Sequence, residues 1–390
     1  MEPFAGSPLR IFLSAGEASG DLHGSRLVRA IWKACPEASI TCMGGPLLEE
    51  AGARIVVPNR DVAVVGLSEV LVHLKSVARA FSAIRSHLSA QRPHVAVLID
   101  FPDFNFLVGR LARKLGIRVF YYISPQVWAW RSGRVQTMKR FVDDMAVILP
   151  FEPEFYARRG MPVRYVGHPL LDVLNEAPTP KEARLRYGCD EKTQTVGILP
   201  GSRTSEVRLL LALFCEAATI LKDRMPGVRF LLPVAPSLDK AWIESQVIPF
   251  QLPVRLVRGD TYGVIRACDL LITASGTVTL EAAVLGTPMI IANRVSAITY
   301  HVGRHLIRVR HIGLPNLIAG REIVPEFVQL GATPSLLAQE VLQFLQAPHL
   351  LERQRSELGK IRERLGSPGV ADRVAALVLE QARQGKASEA

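Results

Sequence analysis

Short, near-continuous apolar runs alternate along the chain with longer stretches in which apolar residues recur every three or four positions. Uninterrupted apolar runs are the pattern of parallel strands covered on both faces, and the 3.6-residue period between them is that of the covering helices. Strands are predicted at Ile11–Ser14, Val95–Ile99, Val119–Ile123 and Met145–Leu149. After a polar, proline-containing break around Asn175–Lys181, a second set is predicted at Thr195–Leu199, Arg229–Val234, Leu270–Thr273 and Met289–Ala292. The expected fold class is α/β, with two Rossmann-like domains at 1–172 and 173–345. Residues 346–390 supply C-terminal helices and a tail, and the helical stretches Leu337–Leu345 and Leu350–Gln381 are expected to pack back across both domains.

A length of 390 residues accommodates two or three domains at roughly 150 residues each. With 48% hydrophobic and 21% charged residues, the composition excludes a disordered, collagen-like or disulfide-dense chain. Cys35, Cys42, Cys189, Cys215 and Cys268 show neither C-x-x-C nor Cys/His ligand spacing, so reduced core thiols are expected. No run approaches the roughly 18 apolar residues of a membrane span, and the start MEPFAGSPLR lacks a signal-peptide core, which predicts a cytoplasmic location. The charge is the unusual feature, at +11 with neutral histidines. The first 170 residues carry 21 basic and 14 acidic side chains, against 26 and 22 in the rest. An anionic partner is implied without being named.

The first predicted strand runs into Ser14-Ala-Gly-Glu-Ala-Ser-Gly-Asp21 and then a helix. Small residues at a helix start admit a ligand to the backbone amides, although a tight turn with Asp21 complementing the dipole would have the same sequence. The spacing of Gly16, Gly20 and Gly24 is not G-x-G-x-x-G, which disfavours a nicotinamide cofactor. The strand His94–Ile99 ends in Asp100-Phe-Pro-Asp-Phe-Asn105. Ligands of open α/β sheets bind beyond the carboxyl ends of strands, so Asp100 stands where a general base belongs; Asp100 or Asp103 capping the next helix is the plainer alternative. Tyr122–Arg131 brings Trp128, Trp130 and Arg131 into one loop, where the aromatics could be core plugs and Arg131 could meet a phosphate. In the second half, Leu199-Pro-Gly-Ser-Arg203 and Thr273-Ala-Ser-Gly-Thr-Val-Thr-Leu-Glu281 are both strand-to-helix turns. Either alone could be a capped helix start. Together they suit a nucleotide diphosphate, with Arg203, Ser275, Gly276 and Thr277 on phosphate oxygens and Glu281 on ribose hydroxyls.

GEASGD at 16–21, IDFPDFN at 99–105, SPQVWAWR at 124–131, LPGSR at 199–203, ASGTVTLE at 274–281 and LPNLIAGRE at 314–322 stand in one order. This set resembles the lipid-A-disaccharide synthase family from about Leu9 to Ala376. The resemblance implies an inverting glycosyltransferase of GT-B architecture, its two domains facing across a cleft. It implies transfer of 2,3-diacylglucosamine from UDP-2,3-diacylglucosamine to the 6-hydroxyl of 2,3-diacylglucosamine 1-phosphate (lipid X), giving β-1,6-linked lipid A disaccharide 1-phosphate and UDP. Carried over by motif, Asp100 is the general base, Arg203 neutralises the diphosphate, and Ser275, Gly276, Thr277 and Glu281 hold UDP. Glu17, Ser19, Asp21, Trp128, Arg131, His168 and Asn316 are expected to line the cleft. No cofactor and no metal is expected, and no D-x-D pair stands on a predicted strand end of the second half. Another UDP-sugar enzyme, an epimerase or a lipid-acceptor UDP-N-acetylglucosamine transferase, would share the second-half loops but lack the first three motifs. A basic nucleic-acid or membrane-binding module would explain the charge but not the paired loops, and no nucleic-acid module is recognisable.

Acylated substrates reside in a bilayer, and residues 68–88 carry one helical apolar stripe of Val70, Leu71, Leu74, Val77, Ala78, Phe81 and Ile84, flanked by Lys75 and Arg79. The stripe suits a helix lying on the anionic cytoplasmic face of the inner membrane, through Val70, Leu71, Leu74, Lys75, Val77 and Arg79. Arg85 intrudes near its end, and a core helix on the first sheet fits the same pattern.

Overall fold

The computed structural model describes residues 8–62, 70–190, 193–295 and 310–388, with the backbone alone at 70–74. The chain divides into two compact units, residues 1–169 with 367–390, and residues 170–366.

The first unit holds seven strands: β1 (Arg10–Ala15), β2 (Ser39–Gly44), β3 (Arg54–Pro58), β4 (Val95–Ile99), β5 (Arg118–Tyr122), β6 (Asp144–Val147) and β7 (Arg164–Tyr165). They form one parallel sheet in the order β3-β2-β1-β4-β5-β6-β7. Both faces are covered, because alternate side chains of a strand enter opposite layers. Ile11, Leu13, Val95, Val97 and Ile99 join one apolar cluster, and Phe12, Ala96 and Leu98 join the other.

The second unit holds β8 (Thr195–Leu199), β9 (Arg229–Val234), β10 (Val254–Arg258), β11 (Leu270–Ala274), β12 (Met289–Asn293) and β13 (Glu326–Val328). These are parallel in the order β10-β9-β8-β11-β12-β13, repeating the doubly wound pattern. The two-domain α/β fold class expected from the sequence is the one observed.

The C-terminal helices return to both units, as expected, and do so by dividing between them. Pro334–Gln346 and Pro348–Arg364 belong to the second unit, whereas Val370–Ala387 packs on β4, β5 and the helix Ala18–Ala34 of the first. The expected helix Leu350–Gln381 is interrupted by Gly366 and Gly369, at φ of 91° and 86°, where the left-handed backbone favours glycine.

The expected amphipathic helix runs Val70–Gln91. Ala80, Ile84 and Leu88 are buried in the core of the first unit, with Val77 and Phe81 partly buried against it. Val77 thus packs partly against the core, while Lys75 and Arg79 are exposed. The side chains of Val70, Leu71 and Leu74 lie outside the described residues. Among the described residues no helix is long and apolar enough to cross a membrane, and all five cysteines are buried and free.

Candidate functional site

In each sheet the strand order reverses direction at one point, between β1 and β4 in the first and between β8 and β11 in the second. Loops leaving the carboxyl ends of such neighbours diverge to opposite faces and leave a crevice for ligands. Four of the loops selected from the sequence flank these two switch points.

In the first unit, Ala15 and Ile99 are paired in register, so Gly16-Glu17 and Asp100-Phe101 leave the sheet side by side. Asp100 and Phe101 have φ of 44° and 48°, two successive non-glycine residues in the left-handed region. Such backbone costs roughly 1–3 kcal/mol per residue and persists only where its surroundings over-determine it. Here they do. Asn105 Nδ2 and the Tyr121 hydroxyl each donate to the Asp100 carbonyl at 2.8 Å, and Pro102 starts the next helix in the position where its missing N–H is tolerated. Asp100 is half-buried, and its carboxyl is pushed up to about 6 by burial and, secondarily, by the Glu17 carboxylate. That value suits a general base near neutral pH.

The other first-unit candidates separate into distinct environments. Glu17 and Ser19 are exposed at the start of the helix Ala18–Ala34. Asp21 is buried, and its carboxylate accepts from the amides of Gly45 at 2.7 Å, Leu47 at 3.0 Å and Leu48 at 3.2 Å. It therefore caps the helix Pro46–Glu50 instead of lining a cleft. Asp103 is exposed and ion-paired with Arg134 at 2.7 Å. Trp128 is half-buried, edge-on to Phe151 at 5.0 Å, and the Arg131 guanidinium lies 3.8 Å from the centre of the exposed Trp130 ring. His168 is buried, and its imidazole is pushed down to about 3 by burial and by the nearby His23, itself lowered to about 4 by burial.

In the second unit the two loops are in different states. Beyond β8, Gly201 turns at φ 115°, and Glu206 Oε2 lies 2.5 Å from where a Cβ on Gly201 would be. Glu206 accepts from the amides of Ser202 at 3.2 Å and Arg203 at 3.3 Å and from Arg203 Nη1 at 2.8 Å. The amides expected to face a diphosphate thus already hold a carboxylate. Beyond β11, by contrast, Gly276 precedes the helix Thr277–Leu285 with no side-chain cap, leaving its first amides for an anion. The Ser275 hydroxyl donates to the Ile312 carbonyl at 2.9 Å, and Thr277 is exposed. Glu281 is half-buried, no described residue hydrogen-bonds its carboxylate, and burial pushes it up to about 7. A half-buried acceptor without a donor is suited to ligand hydroxyls.

Asn316 differs from expectation. It is fully buried, donates to Val324 O and Glu326 Oε1 at 2.7 Å each, and accepts from Ile323 N at 2.7 Å and Val324 N at 2.9 Å. It clips the approach to β13 and lines no cleft.

Asn105 and Tyr121 were not singled out from the sequence. A polar residue between Phe104 and Phe106 on an apolar helical face was the available signal for Asn105. Glu152 was also missed. It is 1% exposed, accepts from Ile148 N and Leu149 N, and faces Ser124 and the Trp128 indole, with burial pushing it up to about 7. Among the described residues no cluster of three or more His, Cys, Asp or Glu side chains could hold a metal ion.

The family profile described as lipid-A-disaccharide synthetase matches residues 11–371. A Geobacter metallireducens protein named lipid-A-disaccharide synthase is 45% identical over 371 residues, covering 95% of this chain and 97% of that protein. The crystal structure of Acinetobacter baumannii MurG matches with a TM-score of 0.60 at 15% identity, over 96% of this chain and all of that one. UDP-GlcNAc 2-epimerase from Neisseria meningitidis, solved with UDP-GlcNAc bound, matches with a TM-score of 0.64 at 10% identity, over 95% and 100%. At such identities the two structures establish a shared fold, that of GT-B glycosyltransferases and epimerases.

Proposed function

The chain belongs to the lipid-A-disaccharide synthetase family of glycosyltransferases, and from that premise we propose that it joins UDP-2,3-diacylglucosamine to the 6-hydroxyl of 2,3-diacylglucosamine 1-phosphate. The 6-oxygen attacks the anomeric carbon as Asp100 takes its proton. The anomeric bond to the diphosphate breaks with its electron pair leaving on UDP, and the configuration inverts to β. Arg203 and the amides at the start of Thr277–Leu285 stabilise the departing diphosphate, Ser275 and Gly276 shape that turn, and Glu281 receives the ribose hydroxyls. Glu17, Ser19, Trp128 and Arg131 serve the acceptor side. His168 remains a neutral neighbour of His23.

The observation that carries this reading is the coincidence of motif and topology. The family-like loops at 16–21 and 99–105 flank one switch point, those at 199–203 and 274–281 flank the other, and a half-buried carboxylate stands at each. The substrates are acylated and anionic, so the enzyme works at the anionic cytoplasmic face of the inner membrane, peripherally, drawn there by its basic excess. Incubating the protein with both diacylated sugars and following UDP release tests the assignment. Release that requires both sugars and yields a disaccharide 1-phosphate is expected. Hydrolysis or epimerisation of the UDP-sugar without the acceptor would overturn it.

A further inference from the structure

We propose that Asn105 and Tyr121 are positioning residues that aim the Asp100 carboxylate by holding the Asp100 backbone carbonyl between two buried donors. The proposal rests on the reading of Asp100 as general base and adds what makes that base usable.

The geometry is specific. Asn105 is fully buried, and Ser14 Oγ donates to its Oδ1 at 2.6 Å, which fixes the amide so that Nδ2 points the other way. Nδ2 then faces the carbonyls of Asp100 at 2.8 Å, Ile99 at 3.2 Å and Ser14 at 3.4 Å. One side chain thereby ties the end of β1 to the end of β4 at the switch point. Tyr121, in the neighbouring strand β5, reaches the same Asp100 carbonyl from a second direction at 2.8 Å. Its hydroxyl is a dependable donor, since burial holds the phenol well above its ordinary range.

Two donors converging on one carbonyl fix the plane of the peptide that follows Asp100. That plane is the one the left-handed φ of Phe101 requires, and the Ile99 carbonyl, held by the same Asn105 Nδ2, belongs to the preceding peptide that sets the left-handed φ of Asp100. With both fixed, the Asp100 carboxylate leaves the sheet beside Gly16 and Glu17. Released, the backbone would relax toward an ordinary conformation and carry the carboxylate away from that direction. Neither Asn105 nor Tyr121 need touch a substrate for this, and their effect falls on the step that uses Asp100 rather than on nucleotide binding in the other unit.

Tyr121→Phe is the cleanest test, because it removes one hydroxyl and leaves the ring packed edge-on against Phe106. The expected result is a kcat lowered roughly tenfold by misplacement of the reacting group, with KM for the UDP-sugar within about twofold of wild type and a melting temperature lowered by no more than about 5 °C for the one lost hydrogen bond. Asn105→Asp, which keeps an acceptor for Ser14 but loses the donors, is expected to lower kcat further. Wild-type kcat in Tyr121→Phe would overturn the proposal. So would a loss of rate that only tracks a loss of folded protein. Asp100→Asn separates the two claims: wild-type turnover there removes the general base itself, whereas an inactive Asp100→Asn beside a fully active Tyr121→Phe removes the positioning role alone.

Discussion

A Cβ placed on Gly16 would lie 2.1 Å from Cδ1 of Phe101. The phenyl ring therefore rests directly on the glycine backbone, across the switch point from one strand end to the other. Phe101 has little room to withdraw, since its backbone is already left-handed and its ring packs 6.2 Å from that of Phe104. Gly16→Ala should therefore cost about 1–3 kcal/mol of stability by overpacking, and lower turnover by displacing Asp100 next to Phe101. Thermal melts and steady-state rates measure both effects. In a Phe101→Ala background the same Gly16→Ala change should cost almost nothing, and a full cost there would break the link between the two residues.

The acid limb of the rate profile follows from Asp100. Its carboxyl sits at about 6, raised by burial and by Glu17. A base must be deprotonated to act, so the rate should fall as pH drops through about 6. Glu17 is a like charge and favours the protonated form, so removing it lowers the Asp100 pKa. Glu17→Gln should therefore shift the acid limb to lower pH, whatever its loss from the acceptor side does to the height of the plateau. A pH–kcat/KM series on the two proteins checks the sign, and a shift upward would contradict the electrostatic coupling.

The strands that carry the site were legible in the sequence for a physical reason. Strands β1, β4, β8 and β11 are central, covered on both faces and therefore written as unbroken apolar runs. Edge strands such as β10, with Arg255 and Arg258 exposed, lack that signal. Single side chains were harder. Whether Asp21 meets a ligand or three amides depends on Gly45, 24 residues away, and the same holds for Asn316 and β13. Asn105 and Tyr121 act through a backbone carbonyl, a partner that composition and spacing do not reveal.

Asn316 should behave as a structural residue. Asn316→Ala would leave the amides of Ile323 and Val324 and the Val324 carbonyl without their partners in a mostly buried site. At about 1–3 kcal/mol per unpaired group, the loss should be at least ~3 kcal/mol, or roughly 6–12 °C in melting temperature. Activity should persist at temperatures where the variant is still folded. An Asn316→Ala protein with wild-type melting and no turnover would instead place Asn316 against a substrate.

Membrane attraction should depend on Lys75 and Arg79, which are exposed, more than on Val77, which is partly buried against the core. Each basic residue near an anionic surface contributes about 1 kcal/mol, so Lys75→Ala with Arg79→Ala should weaken binding to phosphatidylglycerol-containing vesicles roughly 30-fold at moderate salt. Binding to neutral vesicles should change little. Val77→Ser should lower the melting temperature and change vesicle affinity less than the double variant does. Vesicle sedimentation at two salt concentrations distinguishes these effects, and undiminished binding of the double variant would detach this helix from the membrane.

Arg203 has no deep structural role to confuse its test. Its side chain is 76% exposed, and its partner Glu206, at 2.8 Å, forms a surface pair of the kind that contributes about 0–1 kcal/mol to stability. Arg203→Ala should therefore melt within a degree or two of wild type. A diphosphate offers more negative charge than the Glu206 carboxylate and gains further charge as the anomeric bond breaks, so the guanidinium is worth most in the transition state. The loss in kcat/KM should accordingly reach about 100-fold or more, mostly in kcat. Arg203→Lys should recover only part of it, because a point charge cannot reproduce the planar donor fork. Glu206→Gln removes the carboxylate that a diphosphate must displace and should leave KM for the UDP-sugar equal or lower. Unchanged kinetics in Arg203→Ala would separate this loop from the leaving group and leave the uncapped start of Thr277–Leu285 as the diphosphate's sole electrostatic partner among the residues proposed here.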